Sequence, residues 1–234
     1  MKKRILIVGG SSGVGLELAK LYIAEGHTVC ITGRKNPDLE NAQFEYLSIT
    51  ERSVDLPQCL DNVVTAFPNV NTLIYAAGFL QRGHIEDLSD SDLLTMTNVG
   101  LLAPMLLIAR LKRHVSSPLK IMLITSSSQY TPRPLEPAYC ATKAGLAMLA
   151  AALVRDQGVG KVLVAAPSGI DTPFWSDTDE ATETMLDPRW VADQIVALSS
   201  GPFKFKEARL LRNPARVEVV EMLDNTFQSL LNSA

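Results

Sequence analysis

Tyr139 and Lys143 stand four residues apart, in an apolar stretch that follows Pro132, Pro134 and Pro137. Residues four apart on a helix share one face. A helix beginning after the last proline would therefore hold a phenol beside an ammonium. Just upstream, the apolar run 121–124 is too short for a helix and long enough for a buried strand. It runs into three hydroxyls, Ser126, Ser127 and Ser128. A phenol, an ammonium and a serine near a strand end suit proton transfer. Singly, each is ordinary: a half-buried aromatic, a solvated lysine, a serine turn. It is their combination with a second feature, at the other end of the chain, that gives them meaning.

That feature is Val8-Gly9-Gly10-Ser11-Ser12-Gly13-Val14-Gly15, placed after the first predicted strand and before the first predicted helix. Glycines let backbone N–H groups approach a phosphate, and the helix N-terminus adds about half a positive charge. The strand–loop–helix context is the one that distinguishes a dinucleotide loop from a simple glycine turn. An NAD-type fingerprint wants an acid about 20 residues further on, for the ribose 2′-hydroxyl. Strand two ends instead in Thr32-Gly33-Arg34-Lys35. A guanidinium at Arg34 suits a 2′-phosphate, so NADP(H) is expected over NAD(H), which stays possible.

The elements that must position these groups alternate along the chain. Strands are expected at 4–8, 28–32, 44–49, 72–76, 121–125, 162–166 and 207–212. Helices are expected at 13–25, 54–67, 90–113, 138–155, 189–198 and 215–231. Continuous apolar strands separated by helices mean a parallel sheet covered on both faces. The acidic stretch 177–183 reads as a solvated helix face, and its place would also suit a mobile lid.

Composition narrows the function classes. The chain has 234 residues, 47% of them hydrophobic, enough for one full core. Its net charge of −3 gives no pointer to nucleic acid. The basic start Met1-Lys2-Lys3-Arg4 is followed by too short an apolar run for a signal peptide. No run approaches the roughly 20 apolar residues of a membrane span, so a cytoplasmic protein is expected. Cys30, Cys59 and Cys140 match no zinc or disulfide spacing, and His27, His84 and His114 are scattered, so no metal site is expected.

With both ends in view, the chain resembles the classical short-chain dehydrogenase/reductase family over nearly its whole length. The family's Thr-Gly-x-x-x-Gly-x-Gly corresponds to residues 8–15, with Val8 in place of the Thr and every glycine kept. Its Asn-Asn-Ala-Gly corresponds to Tyr75-Ala76-Ala77-Gly78, with both asparagines lost. Its Ser-x12-Tyr-x3-Lys fits Ser126, Tyr139 and Lys143; Ser127 and Ser128 have the wrong spacing. Its Pro-Gly-x-Ile-x-Thr reads Pro167-Ser168-Gly169-Ile170-Asp171-Thr172, and its helix Asn falls at Asn98.

The resemblance implies a doubly wound, three-layer α/β Rossmann fold with about seven strands in the order 3-2-1-4-5-6-7. It implies one domain over 1–234, with a small substrate-loop region at 173–188. It implies a catalytic set of Asn98, Ser126, Tyr139 and Lys143. Cofactor contacts would come from Gly9, Ser11, Ser12, Gly13, Val14, Gly15, Arg34, Ser48, Ile49, Ala77, Gly78, Tyr139, Lys143, Ile170 and Thr172. Ser48 stands where an adenine-contacting Asp is frequent, and Thr172 would hold the nicotinamide carboxamide. Asn98 would anchor a water linking Lys143 to solvent. The family pairs two helices across a dimer axis, which here are 93–112 and 138–155, so a homodimer or homotetramer is expected.

The expected chemistry is carbonyl to alcohol, with Tyr139 as general acid/base and Ser126 bonding the substrate oxygen. Free tyrosine titrates near 10, and lowering it by about 3 units corresponds to roughly 4 kcal/mol. Lys143 and an oxidised nicotinamide would supply that together. Specificity is expected from residues 129–136, 79–85 and 173–186, with Phe79, Tyr130, Phe174 and Trp175 available as an apolar wall. The acids of the last segment disfavour an anionic substrate. Two other readings compete. A nucleotide-sugar epimerase or dehydratase of this fold carries a larger C-terminal part than residues 167–234. A non-catalytic NAD(P)-sensing regulator tends to lack the Tyr/Lys pair that this chain keeps.

Overall fold

The computed structural model describes residues 2–114, 117–176 and 178–224. Strands β1 (Arg4–Val8), β2 (Thr28–Gly33), β3 (Ala42–Tyr46), β4 (Thr72–Tyr75), β5 (Leu119–Ile124), β6 (Val159–Pro167), β7 (Phe205–Leu211) and β8 (Arg216–Leu223) form one sheet. Its order is β3-β2-β1-β4-β5-β6-β7-β8. All pairs are parallel except β7 with β8. Helices α1 (Gly13–Ala24) and α6 (Pro188–Leu198) cover one face. The other face carries α2 (Leu56–Ala66), α4 (Ala103–His114) and α5 (Pro137–Leu153).

Strand alternation builds the two cores. On β1, Leu6 and Val8 join the cluster under α2, α4 and α5, while Ile5 and Ile7 join the one under α1 and α6. All four are essentially buried. Burying an aliphatic side chain of this size contributes about 1.5–3 kcal/mol, so both faces hold the sheet. Sequence order reverses between β1 and β4, and such a switch point opens a crevice at the carboxyl ends of the strands.

Three expectations need correction. The helix expected at 215–231 is replaced by β8 over Arg216–Leu223; its remainder past residue 224 lies outside the described residues. Val217, Val219 and Val220 are β-branched and favour a strand, and β7 offers a free edge that an antiparallel hairpin satisfies. The sheet thus has eight strands. The third strand ends at Tyr46, because its partner β2 ends at Gly33; Leu47, Ser48 and Ile49 turn instead into the cleft described below.

The third correction concerns the helix over Asp90–His114. Its 25 residues are long and apolar enough to cross a membrane, with a mean hydropathy of 1.6 in the best stretch. Ala103, Leu107, Ile108 and Leu111 are buried against the sheet and α2, as in the core helix of a folded domain. The helix runs from α3 (Asp90–Thr97) through a π-helical turn, Asn98–Leu102, into α4. Single π turns of this kind concentrate at functional sites.

Candidate active site

The β1–α1 loop brings the chain tightly against the sheet. Gly9 has φ +81°, and a Cβ there would lie 2.6 Å from the Ala77 backbone nitrogen. A Cβ on Gly15 would lie 2.1 Å from the Gly9 carbonyl oxygen. Only glycine permits this approach of strand, loop and helix. Ser12 is the N-cap of α1, yet its side chain makes no capping bond. The N–H groups of the first turn therefore face the cleft without a side-chain partner.

A cavity of about 670 Å³ runs from this loop along the strand ends to α5. Its wall includes Gly9, Ser11, Ser12, Gly13, Val14, Gly15, Arg34, Ser48, Ile49, Ala77, Gly78, Ser126, Tyr139, Lys143, Ile170 and Thr172. The cleft thus joins all the expected cofactor contacts and three of the four expected catalytic residues. Thr32 also lines it, with a buried hydroxyl that has no hydrogen-bond partner among the described residues. An elongated dinucleotide fits this donor set: free N–H groups at a helix N-terminus, an exposed guanidinium at Arg34, and an ammonium at the far end.

Tyr139 and Lys143 sit in the first two turns of α5, which opens with Pro137 at a position that needs no N–H. Lys143 Nζ lies 5.5 Å from the Tyr139 ring centroid and donates to the Ile124 carbonyl at 3.3 Å. Burial pushes the Tyr139 phenol well above its ordinary range. The Ser126 hydroxyl opposes that shift, and Glu136 and Cys140 add to it. Burial lowers Lys143 to about 8. The protein's own groups thus favour the neutral phenol, whereas the expected depression draws on Lys143 together with an oxidised nicotinamide.

Ser126 caps the short helical turn Ser127–Gln129, and its Oγ accepts the Ser128 N–H at 3.1 Å. Asn98 does not line the cleft. Its side chain accepts from Ser53 Oγ at 3.0 Å and donates to the Thr50 carbonyl at 2.7 Å. It fastens the loop after β3 to the π turn. That turn lies close on α5: a Cβ on Gly100 would be 2.7 Å from Thr142 Cβ, beside Lys143.

The outer end of the cleft is part apolar and part charged. Phe79, Phe174 and Trp175 line it, with Phe174 packed on the Tyr139 ring at a centroid distance of 6.0 Å. Tyr130 does not: its ring lies 3.9 Å from the Arg209 guanidinium carbon, and Gln129 donates to Glu207 at 2.8 Å. Arg82, Arg133, Glu136 and Glu180 complete the wall. Sequence reasoning had marked their loops but singled out none of them; Glu136 is directly before the Pro137 that starts α5. The described residues of 177–183 do not form the expected helix face. Among its described residues the segment 173–186 holds a short helical turn, Pro173–Trp175, and a second turn closed by Met185 N on the Thr182 carbonyl at 2.8 Å, and it is pinned at its base where Asp171 N donates to the Leu186 carbonyl at 2.9 Å. Glu180 within it pairs with Arg82 at 2.7 Å. Asp177 lies outside the described residues.

Comparison with known proteins bears on the family and the fold. The short chain dehydrogenase family matches residues 3–183. An uncharacterised oxidoreductase of Bacillus subtilis (strain 168), DltE, is 31% identical over 184 residues, 72% of this chain and 71% of that protein. Among solved structures, an alcohol dehydrogenase from Thermococcus sibiricus complexed with 5-hydroxy-NADP superposes with a TM-score of 0.74. It is 20% identical, covering 92% of this chain and 98% of that one. A short-chain dehydrogenase from Burkholderia cenocepacia J2315 in complex with NADP gives 0.70 at 24% identity, covering 85% and 91%.

Proposed function

The chain belongs to the short-chain dehydrogenase family, an NAD(P)-dependent oxidoreductase family, and we propose that it reduces a ketone or aldehyde with NADPH, Tyr139 giving the proton. The observation that carries this reading is the single cleft in which the Gly9–Gly15 loop and Arg34 lie at one end and Ser126, Tyr139 and Lys143 at the other.

The cofactor, when bound, supplies the hydride. The N–H groups of the α1 start would hold its pyrophosphate, and Arg34 its 2′-phosphate. The preference for NADPH rests on Arg34 and on the missing acid after β2; NAD(H) remains the alternative that the Arg34 test below separates. Lys143 would bond the ribose hydroxyls, and Ile170 and Thr172 would face the nicotinamide, alongside Ala77 and Gly78. Ser48 and Ile49 would border the adenine.

Tyr139 meets the substrate oxygen as a neutral phenol, the form its burial favours, and gives up its proton as that oxygen gains charge. Ser126 holds the same oxygen by a hydrogen bond. Asn98 acts from behind, tying the loop after β3 to the π turn whose Gly100 lies against Thr142 beside Lys143. Phe79, Phe174 and Trp175 would take an apolar part of the substrate.

The outer surfaces of the two long helices support a homo-oligomer in the manner the family uses. Leu94, Met105 and Met148 on these helices are exposed, Met148 by 70%.

The test is NADPH oxidation followed across a panel of ketones, aldehydes and quinones. Turnover of one class supports the reading. Tight NADPH binding with silence across the panel would favour a regulatory sensor instead.

A further inference from the structure

We propose that Glu136 is a positioning residue for this reaction: through Ser128 it biases how readily the Ser126 hydroxyl gives its hydrogen bond to the substrate oxygen. The inference rests on the catalytic reading above and deepens it.

Three side chains form a line from the reacting end of the cleft to its rim. Ser126 Oγ lies 3.2 Å from Ser128 Oγ, and Ser128 Oγ lies 3.3 Å from Glu136 Oε2. Ser128 and Glu136 are buried, so water does not compete freely for these contacts. A carboxylate only accepts hydrogen bonds, whereas a carboxylic acid can donate one. With Glu136 ionised, Ser128 must point its proton at the carboxylate. The Ser128 oxygen is then open to accept from Ser126, which itself accepts the Ser128 N–H, so the Ser126 proton is drawn away from the cleft. That state sets Ser128 and the substrate oxygen in competition for the Ser126 proton. With Glu136 protonated, the line can run the other way: carboxyl to Ser128, Ser128 to Ser126, Ser126 to a carbonyl oxygen. A carbonyl oxygen has no proton to give, so Ser126 holds it best when its own proton is not drawn to Ser128. No atom is transferred along the line; the hydroxyls only rotate.

Charges of both signs surround the carboxyl. Arg82 from residues 79–85 has Nε 4.0 Å from Glu136 Oε1, and its other arm is committed to Glu180 on the 173–186 segment. Arg133, on the same loop as Ser128, is engaged with Ser127 Oγ at 3.0 Å. Tyr139 and Cys140 follow on α5 itself. Burial raises the Glu136 carboxyl most; Ser128, Arg82 and Arg133 pull it down, and Glu180 pushes it up. The net effect is upward from the ordinary carboxylate value.

The test compares pH profiles of NADPH-dependent reduction from about pH 5 to about pH 9, using phenanthrenequinone and nitrobenzaldehyde as probes. In the wild type, kcat/KM should fall about tenfold, one hydrogen bond's worth, as Glu136 ionises. Glu136→Gln has no such titration, so this inflection should vanish. Ser128→Ala keeps the carboxyl but cuts the line, so it should vanish there too. If Ser128→Ala retains the inflection while Glu136→Gln loses it, Glu136 acts only through its charge on Tyr139, and the proposal is overturned. It is also overturned if both variants keep the wild-type profile while Tyr139→Phe is inactive, an outcome that leaves the catalytic reading standing. An active Tyr139→Phe, or a wild type silent toward both probes and the wider panel, removes the catalytic reading and the proposal with it.

Discussion

Lys143 Nζ sits 5.5 Å from the centre of the Tyr139 ring and hangs on the Ile124 carbonyl, so the ammonium lies over the phenol's ring and not in a hydrogen bond with its oxygen. Both groups are buried and both are biased to neutrality. For a reductase this is a workable resting state, since the acid must begin protonated.

The burial of Lys143 should be measurable as stability. Its folded pKa is lowered from 10.5 to about 8. Below that value both folded and unfolded chains carry the charge, and the folded state bears the full desolvation cost. Between about 8 and 10.5 only the unfolded chain stays protonated, so this cost fades as pH rises. The shift corresponds to about 3 kcal/mol. Lys143→Met should therefore be more stable than the wild type at neutral pH, by up to that amount, and the gap should close near pH 10.5. Urea denaturation at several pH values checks it; a constant gap would contradict it.

Arg34→Asp should reduce the ratio of NADPH to NADH efficiency by about tenfold or more, since a charged hydrogen bond contributes about 1.5–3 kcal/mol. The ratio of the two kcat/KM values reads this directly. An unchanged ratio would remove Arg34 from the phosphate site.

Gly15→Ala places a methyl where the Gly9 carbonyl stands 2.1 Å away, so backbone must move. Overpacking of this kind costs about 1–3 kcal/mol. The displaced loop should also lose NADPH, so the variant's thermal transition should rise less on adding NADPH than the wild type's does. An equal rise would mean the loop does not hold the cofactor.

Met148→Glu sets a charge on the most exposed apolar side chain of α5. If α5 and the Asp90–His114 helix pair across a dimer axis, sedimentation should show a smaller species than the wild type. Identical sedimentation would place the interface elsewhere.

Much of this was legible from spacing. The glycine loop could be placed because glycine is needed where Gly9 takes φ +81° and backbone meets backbone. Tyr139, Lys143 and Ser126 could be placed because a helical repeat and a strand end fix their neighbourhood. Asn98 was legible as a position but not in its contacts: its partners, Thr50 and Ser53, lie 45 or more residues away. Tyr130 could serve the wall or the packing by sequence alone, and contact with Arg209 on β7 puts its ring outside the cleft. The segment 216–223 carries a pattern that suits helix or strand, and only the free edge of β7 decides it. The direction of the Tyr139 shift was also invisible, because burial is a property of the packed site.

Tyr139→Phe tests the central claim most directly. It removes one hydroxyl and keeps the ring that packs on Phe174. With NADPH and a carbonyl substrate found by the panel, loss of proton donation should lower kcat by about a hundredfold or more, while NADPH binding is kept. A variant that retains most of the wild-type turnover would contradict the assignment of Tyr139 as the proton donor.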